Sequence, residues 1–179
     1  TISNASNYGY DSAINGNLAL YKSGVGIQTL SGINGYTGDT TVNQGTLTVS
    51  GTGSLAAGSD VTVENTATLS VAGIINGMVT VDNGGTLTGN AGTFNSSVTI
   101  NGIHAPGASP GLQTFNTGLA YGSTGELNAE FVGDTLGVRV TDFDGIDVTG
   151  GNLSIDPAAT FNLIASSINY AAAVWDAGR

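Results

Sequence analysis

The residues able to do chemistry are few. His104 is the single histidine, and the chain has no cysteine. No serine and aspartate stand around His104 in the manner of a catalytic triad. It directly precedes Ala105-Pro106-Gly107 and reads as a structural loop residue. The lack of cysteine excludes a disulfide scaffold, a thiolate metal site and a thiol nucleophile. Asp134, Asp142, Asp144 and Asp147 gather around Arg139. Oxygen ligands of this kind suit Ca²⁺, and the four acids are weak candidate ligands for it. They lack EF-hand spacing, and no GGxGxD nonapeptide is present. A surface loop with an Arg139–carboxylate ion pair accounts for the same residues, and such a pair is weak when exposed. No HExxH, GxSxG, P-loop or GxGxxG sequence occurs. The expectation is a chain with no catalytic residue, no cofactor and no enzymatic activity. The enzyme alternative is a polysaccharide-degrading β-helix, with the acids and Arg139 converging in a groove.

Two further patterns bear on binding. Thr46-x-Thr48, Thr68-x-Ser70 and Thr86-x-Thr88 would stack into flat hydroxyl rows if they lie in successive coils. Such rows suit an ice-binding β-helix, the other alternative. Threonine is also simply a favoured outward strand residue. Tyr8, Tyr10, Tyr21, Tyr36, Tyr121 and Tyr170 show no row and read as scattered surface residues. Asn65, Asn83 and similar turn residues suit Asx turns or a stacked asparagine ladder better than a ligand site.

Composition narrows the field. Lys+Arg is 3 against Asp+Glu 13, for a formal net charge of −10. Such a chain has no basic footprint for nucleic acid and no polybasic surface for anionic lipid. Charged residues are 9%, far below the roughly 25% of ordinary soluble domains. Disorder is excluded as well, because hydrophobic residues reach 40% and prolines number only 3. Gly and Asn interrupt nearly every window that would otherwise hold a helix.

The elements follow from internal repetition. Val61-Thr62-Val63, Val79-Thr80-Val81 and Val98-Thr99-Ile100 recur at spacings of 18 and 19, with Thr40-Thr41-Val42 upstream. A second short strand follows a polar turn in each early unit, as Thr46-Leu47-Thr48-Val49, Thr68-Leu69-Ser70-Val71 and Thr86-Leu87-Thr88. The unit returns at Ile146-Asp147-Val148 and Leu153-Ser154-Ile155, followed by Phe161-Asn162-Leu163. Alternation sends Val61, Val63, Leu69 and Val71 to one side and the hydroxyl residues to the other. A strand so short cannot bury its apolar face alone. Coils of about twenty residues stacked on one another can. The fold is therefore read as all-β, a right-handed parallel β-helix. An antiparallel sandwich is the rival, and it would favour longer strands and two-residue hairpins. Residues 1–17 read as an irregular N-terminal segment and 18–165 as the β-helix, with a break near 105–111. Residues 166–179 read as the end of a fragment whose parent chain continues. The stretch Val132–Phe143 reads as a loop or insertion.

One segment resembles a known family. Residues 28–50 run Q-T-L-S-G-I-N-G-Y-T-G-D-T-T-V-N-Q-G-T-L-T-V-S. This closely resembles the passenger-associated strand repeat of bacterial autotransporters, with Ile27 where Thr is common and Asp39 where Gly is common. Asp39 implies a corner that needs no positive φ. His104-Ala105-Pro106-Gly107-Ala108-Ser109-Pro110-Gly111 is similar to an A-P-G-x-S-P-G element late in such passengers. The structural motif residues are thus Gly32, Asn34, Tyr36, Thr37, Gly38, Thr41, Val42, Gly45, Leu47, Pro106 and Pro110. The resemblance implies an extracellular segment, displayed on a Gram-negative surface or secreted and joined in the parent chain to a C-terminal outer-membrane β-barrel. Such passengers are often adhesins or aggregation factors. The implied partners are host-cell or neighbouring bacterial surface molecules, or further copies of the chain itself.

Overall fold

The computed structural model describes residues 1–107, 111–131 and 143–165. Every regular element among them is a strand, and the strands pair in parallel. The chain winds as a β-solenoid with three faces. The first face stacks Ile2–Ser3, Leu20–Ser23, Thr40–Val42, Val61–Val63, Val79–Val81, Val98–Ile100, Leu119–Tyr121 and Leu153–Ile155. The second stacks Tyr8–Tyr10, Ile27–Leu30, Gly45–Val49, Ala67–Val71, Thr86–Gly89, Ile103–Pro106, Glu126–Phe131 and Thr160–Ala165. The third is split. Asn15–Gly16 pairs with Gly35–Tyr36 as a small sheet, and a five-stranded sheet follows from Ser54–Leu55 through Ile74–Ile75, Thr93–Phe94 and Leu112–Phe115 to Gly145–Val148.

Register explains the core. Val61, Val79 and Val98 lie in line on the first face, with Val63, Val81 and Ile100 beside them. Leu47, Leu69 and Leu87 form the matching column on the second face. Leu55, Ile75, Phe94 and Phe115 close the triangle from the third. All are buried, and Phe94 and Phe115 stack with ring centroids 4.8 Å apart. Each such leucine or valine contributes roughly 1.5–3 kcal/mol by leaving water. The outward positions carry hydroxyls. Thr41, Thr62, Thr80 and Thr99 form one column on the first face. Thr46, Thr68 and Thr86 form another on the second face, and Thr48, Ser70 and Thr88 a third.

The structure departs from the sequence reading in four places. The first seventeen residues, read as irregular, supply a strand to each face. These strands are two or three residues long, too short to show alternation. The break expected near 105–111 is narrower, since Ala105 and Pro106 still pair in register with Thr88 and Gly89. The ladder on the other side of that strand ends at His104, so Pro106 sits where a missing N–H is tolerated. Ile146-Asp147-Val148 belongs to the third face, against Gln113–Phe115, and does not repeat the Val-Thr-Val unit of the first. Leu153–Ile155 takes that first-face place, over Leu119–Tyr121. Finally, the two-residue strands of the third face in the middle coils carry no pattern of their own in the sequence.

Candidate functional site

The motif residues of 28–50 sit where successive coils meet. Asn34 is 2% exposed. Its Nδ2 donates to the carbonyls of Gly32 at 2.8 Å and Ser54 at 3.1 Å, and its Oδ1 accepts from the Ile14 backbone N–H at 2.9 Å. One amide thus ties three successive coils where the third face is split. Beside it, only the bridge between Ile33 and Ser54 joins the two parts of that face among the described residues. Gly32 and Gly38 lie flat on the coil below. A Cβ at either would fall within 2.4 Å of the Ser12 carbonyl or 2.7 Å of the Leu18 carbonyl.

Tyr36 is no surface residue. It is fully buried, with its hydroxyl 2.7 Å from Thr40 Oγ1, which lies 2.8 Å from Ser59 Oγ. Burial raises its pKa, although the two hydroxyls oppose this, so the phenol stays neutral. Thr37 Oγ1 reaches Asn17 Oδ1 of the previous coil. Thr41 faces outward, while Val42 and Leu47 are core. Gly45 has φ +69, and a Cβ there would meet the Gly24 carbonyl at 2.4 Å. This is the corner only glycine fits. Asp39 is absent from the positive-φ residues, so its corner does without that conformation.

Lys22 is the residue the sequence reading missed. It is fully buried. Its Nζ donates to the carbonyls of Gly24 at 2.7 Å, Gln44 at 3.0 Å and Ser23 at 3.1 Å. Burial pulls its pKa below the ordinary lysine value. The signal was present, because Lys22 lies at an inward position in register with Val42. Charge alone argued for the surface.

His104 is likewise not a loop residue. It occupies an inward strand position and is wholly buried. Its Nδ1 is 2.6 Å from the Tyr121 hydroxyl and its Nε2 2.9 Å from Gln113 Oε1. Tyr121, like Tyr36, belongs to the core, whereas Tyr8 is 60% exposed. Pro106 is buried on the same strand. Pro110 lies outside the described residues.

The acids do not converge in what is described. Asp134, Asp142 and Arg139 lie outside the described residues. Asp144 spends both carboxylate oxygens on backbone N–H groups, Gly111 at 2.7 Å and Glu130 at 2.8 Å. It clasps Gly111 to the strand Glu126–Phe131. Asp147 stands on the third face opposite Thr114. Among the described residues no group of three or more His, Asp or Glu could hold a metal ion. An asparagine ladder does exist, at positions other than Asn65 and Asn83. Asn95 Nδ2 donates to Asn76 Oδ1, and Asn116 Nδ2 to Asn95 Oδ1, each at 2.7 Å. Thr149 Oγ1 completes the row on Asn116 Oδ1 at 2.8 Å.

Residues 20–49 match the passenger-associated-transport-repeat family. No curated protein and no solved structure matches the chain. The matched residues span one full coil and two strands of the next, and they hold Lys22, Asn34, Tyr36, Thr40 and Gly45. The repeat and the β-solenoid together fit a segment of an autotransporter passenger, which suggests a surface or secreted protein.

Proposed function

We propose that the chain is a non-catalytic stalk and display segment of an autotransporter-type surface protein, contributing to adhesion or self-association. The observation that carries this is the transport repeat at residues 20–49 folded as part of a continuous parallel solenoid. The physical means is repetition. Columns of uncharged hydroxyls on the first and second faces and the exposed ladder of Asn95 and Asn116 offer the same polar contacts coil after coil. Each contact is weak, and many copies on a cell convert weak contacts into avidity. The net charge of −10 opposes approach to anionic surfaces, so attachment to them should strengthen as added salt screens the repulsion.

The test displays residues 1–179 on a Gram-negative cell through an outer-membrane barrel, with cells bearing the barrel alone as reference. Faster sedimentation or greater retention on host-cell monolayers, enhanced by raised ionic strength, is expected. Equal sedimentation and equal retention would remove the adhesive role.

A further inference from the structure

The inward column of the second face runs Leu47, Leu69, Leu87, His104, Leu127 and Phe161. A single imidazole thus interrupts a run of apolar side chains. Gln113 Nε2 donates to the Gly89 carbonyl at 2.9 Å, which fixes the amide so that Oε1 faces His104. Oε1 only accepts, so Nε2 of His104 carries the proton and Nδ1 accepts from the Tyr121 hydroxyl. The neutral ring is fully satisfied. A second proton would land on Nδ1, against a phenol that is already donating to it. Tyr121 would have to turn, and its own proton would lose its acceptor in the core.

The surroundings do not relieve the charge. Leu87 and Leu127 lie in register on the second face, Gln113 and Phe115 approach from the third, and Tyr121 from the first. Of these only Tyr121 titrates, and burial raises its pKa further from acid. Glu126 and Glu130 on the neighbouring strand, and Asp147 on the third face, occupy outward positions by the alternation of their strands. Tyr121 in turn packs edge-on against Phe161 of the last described strand, at 5.3 Å between centroids. In the last described coil the inward residues Leu153, Phe161 and Leu163 are 52%, 44% and 70% exposed.

We propose that His104, Gln113 and Tyr121 form an acid-released latch, which holds the coils from Leu119 onward onto the coil of His104 and Gln113 and lets them open when the imidazole takes a proton. Burial supports this, holding the His104 pKa down at about 4 in the closed solenoid against 6.5 when open, despite the Gln113 bond that raises it. The open form therefore binds a proton that the closed form refuses between those values. The closed form is fully favoured above pH 6.5 and loses ground as pH falls towards 4.

Hydrogen exchange on residues 1–179, corrected for intrinsic rates, reads this directly. Between pH 7 and pH 4.5 protection in 119–131 and 143–165 should fall roughly 50-fold, as the linkage relation gives, with 40–95 holding. The variant His104→Leu/Gln113→Leu/Tyr121→Phe should lose that local response. The NMR titration of the single histidine in the unaltered chain provides a readout independent of any variant, and a midpoint near 4 is expected. A fall equal on both sides of residue 119, a response retained in the triple variant, or a histidine titrating near 6.5 with protection unchanged would each overturn the latch.

Discussion

At Asn34 a single buried amide serves three partners, Ile14, Gly32 and Ser54. Alanine there would strand a backbone N–H and weaken the hold on two carbonyls in a place water does not reach. Unmet groups of this kind cost roughly 1–3 kcal/mol each, so Asn34→Ala should lower stability by about 2–4 kcal/mol in urea unfolding. A change within about 0.5 kcal/mol, the ordinary scatter of surface substitutions, would show that the amide only fills space. Asn34→Asp should be no milder, because an oxygen would then face the Gly32 and Ser54 carbonyls. At this scale the sequence was readable in part. The motif marked Asn34, Tyr36 and Gly45 as structural, but not why. Lys22 goes unmarked and His104 reads as a loop residue for one shared reason: residue type argues for solvent or a turn, whereas strand parity puts both inside. Parity wins because each finds acceptors or partners within the core, three carbonyls for one and an amide with a phenol for the other.

Strands were legible in proportion to their length. Val-Thr-Val and Thr-Leu-Thr-Val units are long enough to alternate, and the stacking order of the first two faces follows from them. The third face has strands such as Ser54–Leu55, whose two residues have no period to read. The later units fall out of the 18- and 19-residue phase of the earlier ones, and residues 132–142, read as a loop or insertion, lie outside the described residues. What marks the third face instead is its border of asparagines. Asn95 both donates to Asn76 and accepts from Asn116. Removing it breaks two side-chain hydrogen bonds at an exposed site. Asn95→Ala should therefore cost about 1 kcal/mol, less than any core truncation. Asn95→Ser should recover little, because its hydroxyl cannot span both neighbours. Thermal unfolding of the two variants side by side would separate a ladder from three unrelated turns, for which no loss is expected.

Across the whole molecule, each coil touches chiefly the coils before and after it, so stability is a chain of nearest-neighbour terms. Leu69 lies mid-stack between Leu47 and Leu87 and is fully buried. Leu69→Ala should cost about 2–5 kcal/mol. It should also divide the unfolding into two steps, with coils on either side losing exchange protection at different denaturant concentrations. A single transition merely shifted to lower denaturant would mean that the coils cooperate over a longer range. The split third face adds a mechanical consequence. Where the coil of Leu20–Tyr36 meets the coil of Thr40–Leu55, two sides are laced by continuous ladders and the remaining side by one bridge and the Asn34 amide. Tension along the axis is therefore shared unevenly at that level. The rod bends there before it breaks, gaping on the side of Asn34 while the other two sides act as the hinge.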